Sequence, residues 1–205
     1  EALGLAVMAE LPLVVVDVQR GGPSTGLPTK TEQSDLMQAL YGRNGECPVV
    51  VLAASTPGDC FRFAFEAGKI AMEHMTPVIL LTDGFIANGS EPWRIPSMKD
   101  YPAIQPPIVD DAPEGGFMPY VRDEKLARGW AFPGKVGLEH RVGGLEKDCV
   151  KGCISHDPAN HQKMVSTRAA KVAKAADDIP AQTVWGDPEG DLLVVGWGGT
   201  RGHLQ

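Results

Sequence analysis

The hydrophobic pattern of the first ninety residues alternates between short apolar runs and amphipathic segments. Three apolar runs rich in β-branched residues are bounded by turn residues, which is typical of buried strands. They are residues 13–18, 49–53 and 78–81. Residues 59–75 repeat apolar positions at helical spacing. Residues 31–41 predict a second helix, with Thr31 or Ser34 as its cap. The alternating order predicts an α/β fold in which helices flank a parallel sheet.

The pattern changes after Glu91. Residues 91–133 contain eight prolines, which leave little room for long helices or strands. We therefore expect an extended, proline-rich connecting arm. Six aromatic residues in it either attach the arm to its own domain, which we favour, or face another subunit. They are Trp93, Tyr101, Phe117, Tyr120, Trp130 and Phe132.

Helical periodicity returns at residues 158–176, where Asp157 is a natural cap and Pro158 suits the first helical position. We expect the lysines of this helix and Arg168 to form a solvated face. Residues 192–195 predict a strand that ends in the glycine turn 196–202, GWGGTRG. That turn does not match the G-x-G-x-x-G pattern of a dinucleotide site.

Composition and charge exclude some classes of protein. The 205 residues, 43% of them hydrophobic, suffice for one good-sized core, or for one domain and part of another. No apolar run is long enough to span a bilayer, and no signal peptide is present, so we expect a cytoplasmic protein. A formal charge of −7 argues against nucleic acid as a partner. The chain starts at Glu1 within a helix-like stretch, which predicts a fragment of a longer polypeptide.

Cysteine and histidine spacing gives little support for a metal site. Cys149, Cys153, His156 and His161 form the pattern C-x3-C-x2-H-x4-H, which is tighter than the usual zinc-finger spacing. No set of cysteines matches an iron–sulfur binding run. We therefore expect no metal ion bound by this chain alone.

The loop after the first predicted strand carries the most informative chemistry. Arg20 offers a planar guanidinium that binds a carboxylate or phosphate with two parallel hydrogen bonds. Gly21 and Gly22 let backbone N–H groups approach the same ligand, and three hydroxyl side chains add neutral donors. These are Ser24, Thr25 and Thr29. Ligands of parallel sheets bind at the carboxyl ends of the strands, where Arg20 falls. The alternative is a rigid turn with a surface arginine.

The string RGGPSTGLPTKTEQSDL, residues 20–36, resembles the α subunit of 2-oxoacid:ferredoxin oxidoreductases of the 2-oxoglutarate (KorA-type) branch. Other stretches agree in the expected order: PVVVLAAS at 48–55, TPVILLTDGFIANGSEPW at 76–93, DPANHQKM at 157–164 and DLLVVGWGGTRG at 191–202.

The resemblance implies three regions. Residues 1–92 would be the C-terminal part of a domain like the pyrimidine-binding domain of thiamine enzymes. Residues 93–180 would be the connecting arm and its helix, and residues 181–205 would open a transketolase C-terminal-like domain.

The resemblance also implies the reaction, which is oxidative decarboxylation of 2-oxoglutarate to succinyl-CoA with electrons passed to ferredoxin. Arg20, Thr25 and Thr29 would receive the substrate carboxyl group, helped by the rest of the loop, namely Gly21, Gly22 and Ser24. Thiamine diphosphate with Mg²⁺ and a 4Fe-4S cluster would be held mainly by a partner β subunit, and coenzyme A would be a co-substrate.

The glutamate that activates the cofactor in this family is expected upstream of this chain, so the catalytic residues are unknown here. Glu10 precedes a strand but lies in no matching motif. Two alternatives stay open at this point: the same chemistry on pyruvate or a branched-chain 2-oxoacid, and a non-catalytic α/β assembly module.

Overall fold

A three-stranded parallel sheet forms the centre of the computed structural model, which describes residues 1–205. Its strands, in the spatial order β1-β3-β2, are β1 Leu13–Gln19, β2 Val50–Ala53 and β3 Pro77–Asp83. The central strand β3 pairs with β1 from Leu13 opposite Pro77 to Gln19 opposite Asp83, and its other edge pairs with β2. All of β3 is buried because it has a strand on each side and helices over both faces. The predicted fold class is confirmed.

Helix α3, Pro57–His74, packs on one face of the sheet. Its N-terminus is fixed by Thr56, whose side chain accepts a hydrogen bond from the Asp59 N–H, and Pro57 occupies the first helical position. The buried face of the helix packs in one core cluster against β2 and β3, and that cluster contains Val50, Ala67, Ile70, Ala71, Val78 and Ala175.

Helices α1, Ala2–Ala9, and α2, Leu36–Tyr41, contribute to a second core cluster. In that cluster Val7 of α1 and Ala39 of α2 pack with Ile79 and Leu81 of β3. A short helix α4, Gly84–Asn88, follows β3 directly. None of the helices combines the length and apolar character needed to cross a membrane.

The arm has little regular structure, as its prolines predict. It contains a 3-10 turn at Met98–Asp100 and two short paired strands, β4 Ile108–Val109 and β5 Trp130–Ala131. Two of its aromatic rings pack on α3. The Trp93 ring lies 5.2 Å from that of Phe61, and the Tyr101 ring lies 4.7 Å from that of Phe65. At these positions the arm is attached to its own domain.

Helix α5, Pro158–Lys174, is capped by Asp157 as predicted and continues into a 3-10 turn at Ala175–Asp178. The prediction that the lysines of α5 and Arg168 face the solvent is wrong for two residues. The side chains of Arg168 and Lys171 are only 3% and 2% exposed. They are buried because each pairs with a carboxylate supplied by a distant part of the chain.

Glu10 is the centre of this buried ionic network. It follows α1 in the left-handed conformation, with φ of 52°, and its side chain is fully buried. Arg122 of the arm donates to both carboxylate oxygens at 2.7 and 2.5 Å, and Lys171 of α5 donates at 2.5 Å. Lys171 also donates to the Met75 carbonyl at 2.9 Å. One carboxylate therefore joins α1, the arm and α5 beside the amino ends of β1 and β3.

The charge of Glu10 is stabilised strongly. Burial alone would raise the pKa of this carboxyl group, but the charges and hydrogen bonds of Lys171 and Arg122 outweigh burial and lower the pKa to about 2. Glu10 is therefore ionised at neutral pH, and its charge holds the two cations in place.

Two further expectations are corrected. Residues 192–195 form no strand, because no strand lies beside them to accept their hydrogen bonds, and a 3-10 turn at Gly198–Thr200 and a short helix α6, Arg201–Leu204, follow. The predicted helix 31–41 begins only at Leu36, with Asp35 as its N-cap in place of Thr31 or Ser34. The preceding residues are drawn into hydrogen bonds at the carboxyl edge of the sheet.

We expect Glu10→Gln to destabilise the protein by about 3–5 kcal/mol, because it leaves Arg122 and Lys171 buried without a carboxylate. Urea unfolding measures the change. Glu114→Gln, at an exposed position of the arm, is the matched control and should be nearly neutral. A loss as small as that of the control would show that Glu10 does not hold these segments together.

The same carboxylate makes stability depend on pH. Its native pKa of about 2 lies below the ordinary 4.5, so its contribution is full above pH 4.5 and is lost as the pH falls towards 2. We therefore expect the stability difference between wild type and Glu10→Gln to shrink over this interval. Urea unfolding at several pH values measures the difference, and a gap that does not change with pH would contradict the assignment.

Candidate functional site

The carboxyl edge of the sheet is where the ends of β1 and β3 lie side by side. Gln19, the last residue of β1, is buried and donates from Nε2 to the Thr82 carbonyl at 3.1 Å. Its Oε1 accepts a hydrogen bond from the Asp35 N–H at 3.1 Å. A single amide therefore ties both ends of the loop 20–35 to the sheet.

Within that loop, residues 21–27 form a narrow closed turn. Leu27 N–H donates to the Gly21 carbonyl at 2.9 Å, and the two residues form an antiparallel bridge. Gly22 and Gly26 have positive φ angles of 101° and 50°. A Cβ on Gly26 would lie 1.6 Å from the Gly21 carbonyl oxygen, so the turn needs glycine here.

The predicted ligand-binding residues all lie on this loop, but not at one point. Ser24 and Thr25 are exposed at the tip of the closed turn, between Gly22 and Gly26. Thr29 lies beyond the turn, with a φ of 64°, next to Gly84 at the end of β3.

Arg20 is exposed directly after β1 and takes part in none of the ion pairs of the chain. Its guanidinium is therefore free to bind an anion from outside the chain. The loop thus presents two cations outside the ion pairs, Arg20 and Lys30, together with neutral hydroxyl groups.

Sequence reasoning missed Asp83, the last residue of β3, which accepts a hydrogen bond from the loop. This buried carboxylate accepts the Ile86 N–H at 2.8 Å, which caps α4, and the Glu32 N–H at 3.4 Å. Glu32 in turn accepts the N–H groups of Gln33 and Ser34, and these hydrogen bonds lower its pKa. The Asp-Gly pair after a buried strand was an available signal, because aspartate is a preferred N-cap.

The C-terminal segment covers the same edge. Gln33 Nε2 donates to the Trp197 carbonyl and, at 3.4 Å, to the Thr200 hydroxyl. Gly199 packs so closely on Asp83 that a Cβ would lie 2.5 Å from a carboxylate oxygen. Arg201 donates to the Ser55 hydroxyl at 3.3 Å after the end of β2. No local sequence pattern signals this contact.

The cysteine and histidine pattern does not assemble. The chain contains no group of three or more His, Cys, Asp or Glu residues placed to hold a metal ion. His161 instead contacts Glu146, with 2.7 Å between Nδ1 and Oε2. All four cysteines are free thiols.

Comparison with known proteins gives the family. Residues 1–155 match the family model described as pyruvate flavodoxin/ferredoxin oxidoreductase, thiamine diphosphate-binding. The chain belongs to this oxidoreductase family. The matched region covers the sheet, the candidate loop and the arm, so the predicted resemblance is confirmed for the greater part of the chain.

Among curated members of this oxidoreductase family, the 2-oxoglutarate oxidoreductase subunit KorA of Mycobacterium tuberculosis is 58% identical over 206 residues, covering 100% of this chain and 31% of its own length. The 2-oxoglutarate synthase subunit KorA of Methanothermobacter marburgensis is 34% identical over 199 residues, covering 97% and 52%. This chain therefore spans about a third to a half of these relatives.

A solved structure in the family also matches. It is the 2-oxoglutarate:ferredoxin oxidoreductase of Magnetococcus marinus with 2-oxoglutarate, coenzyme A and succinyl-CoA bound. The sequence identity is 36% and the TM-score is 0.82, over 91% of this chain and 33% of that chain. This likeness confirms the α/β architecture independently of the sequence motifs.

We expect Gly26→Ala to open the turn 21–27 without unfolding the sheet, because the new Cβ would collide with the Gly21 carbonyl in an exposed loop. Faster amide hydrogen exchange at Leu27 measures the opening. Gly45→Ala is the matched control: Gly45 also has a positive φ, 59°, but a Cβ there meets no atom within 4 Å. Equal exchange in wild type and Gly26→Ala would show that the turn does not need this glycine.

Proposed function

We propose that this chain is part of the α subunit of a 2-oxoglutarate:ferredoxin oxidoreductase. The reaction is oxidative decarboxylation of 2-oxoglutarate to succinyl-CoA, with electrons passed to ferredoxin. Support comes from two relatives whose names include 2-oxoglutarate and from a solved relative that contains 2-oxoglutarate, coenzyme A and succinyl-CoA. The cytoplasmic location expected from the sequence stays a prediction.

The observation that carries the proposal is the free guanidinium of Arg20 at the carboxyl end of β1. A 2-oxoacid brings a planar carboxylate, which a guanidinium binds with two parallel hydrogen bonds. Ser24, Thr25 and Thr29 add hydroxyl donors from the same loop. The hydrogen bonds of Gln19 fix the residues that flank the loop to the sheet, which limits where its donors can lie.

The role of Arg20 is to orient the substrate. Two parallel hydrogen bonds hold the carboxylate in one plane and so fix the direction from which the adjoining keto carbon can be attacked. That carboxylate leaves as carbon dioxide, so contacts that stabilised it too strongly would slow the reaction. The loop's exposure to water limits the strength of the Arg20 contact, which suits an orienting role.

The family model that residues 1–155 match is described as thiamine diphosphate-binding, so we expect this chain to supply one part of the cofactor site. When bound, thiamine diphosphate provides the electron sink for decarboxylation of a 2-oxoacid. The chain brings together no set of ligands for a metal ion. Its buried Glu10 is held by two cations beside the amino ends of the strands, away from the loop, and cannot serve the cofactor. We propose that a partner β subunit supplies the rest of that site and mainly holds the cofactor, its Mg²⁺ and the 4Fe-4S cluster.

The domain division is part of the same proposal. We assign residues 1–92 to the pyrimidine-binding-type domain, 93–180 to the connecting arm with α5, and 181–205 to the start of a transketolase C-terminal-like domain. Through Ala175, which follows α5, the second region shares a core with α3 of the first.

We expect Arg20→Lys to lower kcat/KM for 2-oxoglutarate by about tenfold or more, because an ammonium cannot reproduce the planar pair of hydrogen bonds. The assay uses the complete α subunit reconstituted with its β subunit, coenzyme A and a ferredoxin. Arg62→Lys is the matched control, because its guanidinium is exposed and contacts only its sequence neighbours, Asp59 at 3.8 Å and the ring of Phe63.

If the Arg20→Lys complex turned over 2-oxoglutarate with unchanged kcat/KM, Arg20 would have no role in substrate binding. The assigned reaction would still stand. A wild-type complex that oxidised pyruvate and not 2-oxoglutarate would overturn the substrate assignment itself.

A further inference from the structure

A cluster of cations surrounds the buried ring of Tyr120. The proposed reaction makes no use of this cluster. Three of these cations approach the ring face, at 5.7 to 5.9 Å from its centroid: Arg122, Arg128 and Lys147. The ionic network contains two carboxylates and five cationic side chains, an excess of three positive charges. The carboxylates are Glu10 and Glu146, and the cations are Arg122, Arg128, Lys147, Arg168 and Lys171.

The excess charge rests mainly on two of these residues. Glu10 neutralises Arg122 and Lys171 in part, and Glu146 pairs with Arg168 at 3.1 Å. Arg128 and Lys147 have no carboxylate partner, and both are at least 98% buried. Their hydrogen bonds go to backbone carbonyls only. A buried cation without an opposite charge is costly, so an anion at this position would be stabilised strongly.

Lys147 has a donor to spare. Its Nζ donates to the Gly143 and Leu145 carbonyls at 2.6 and 2.7 Å, whereas an ammonium group has three protons to donate. Burial lowers the pKa of this group, and a bound anion would oppose that effect.

A cavity of about 80 Å³ adjoins Lys147. No acidic residue lines it: the lining residues are Arg141, Val142, Gly143, Gly144, Leu145 and Lys147. Arg141 is exposed and joins none of the chain's ion pairs. The backbone N–H groups of residues 142–145 make no backbone hydrogen bond. At roughly 10–15 Å³ per water, the space has room for roughly five to eight water-sized atoms, enough for a phosphoryl group.

We propose that this cavity binds a phosphoryl group, held by the Lys147 ammonium, the Arg141 guanidinium and the free N–H groups of residues 142–145. Two cations and a run of unpaired backbone donors match the oxygens of a tetrahedral oxyanion. The cavity adjoins α1, where Gly144 faces Leu5, so it is separate from the Arg20 loop. The proposal does not depend on the reaction assigned above.

The test measures direct binding to the full chain by isothermal titration calorimetry. One titration uses inorganic phosphate, and a second uses coenzyme A, which carries phosphoryl groups and is present in the solved relative. We expect saturable phosphate binding that weakens about tenfold or more in Lys147→Met and in Arg141→Gln, the loss that follows from removing a charge-assisted hydrogen bond. Lys99→Met, at an exposed position of the arm, is the control and should bind as wild type does.

Arg141→Gln keeps the test valid if Lys147→Met fails to fold, because Arg141 is an exposed side chain outside the ion-pair network. If coenzyme A binds with the same dependence on Arg141 and competes with phosphate, the phosphoryl group belongs to an organic ligand. If phosphate alone binds in this way, the site takes a free anion. If neither phosphate nor coenzyme A binds saturably, or if neither variant weakens the binding, the proposal is overturned.

Discussion

The ion pairs of Glu10 are the constraint on which the other contacts depend. Glu10 and Met75 end helices α1 and α3 in the left-handed conformation, with φ of 52° and 50°, just before β1 and β3. That conformation costs a non-glycine residue roughly 1–2 kcal/mol. Lys171 contacts both residues, through the Glu10 carboxylate and the Met75 carbonyl, and so ties together the two turns that start the adjacent strands. Fixing the amino ends in this way keeps the carboxyl ends, Gln19 and Asp83, level with each other.

The two edges of the sheet have opposite electrostatic designs. Beside the amino ends of the strands, the Glu10 carboxylate is buried and paired with Arg122 and Lys171. The low dielectric of the interior strengthens these contacts and makes the loss of one partner costly. At the carboxyl edge, Arg20 is exposed and unpaired while Gln19 and Asp83 beneath it are buried and hydrogen-bonded. An exposed guanidinium next to a hydrogen-bonded strand end can bind a small anionic substrate without breaking an existing ion pair.

Charge is also divided between the interior and the surface. The chain carries a formal charge of −7, yet its buried ionic network has an excess of cations. The acidic residues that dominate the composition therefore lie mostly outside that network. Backbone carbonyls solvate Arg128 and Lys147 without neutralising them, so the field inside the network stays positive. The buried cations differ in this respect from the surface lysines, whose charges are screened by water and salt.

The sequence by itself determined the three strands, the long helices α3 and α5 with the Asp157 cap, the irregular arm and the position of the Arg20 loop. These features are local, because apolar periodicity, caps and turns depend on residues a few positions apart. Only the tertiary structure decided the burial of Lys171, whose partner Glu10 is 161 residues away, and the contact of Gln33 with Trp197, 164 residues away. It also decided that residues 192–195 form no strand, although their composition favours one, since a strand needs a neighbour to accept its hydrogen bonds. Local patterns specify which helices and strands can form. Whether a charge is buried, and whether a segment pairs as a strand, depends on the residues that the fold brings next to it.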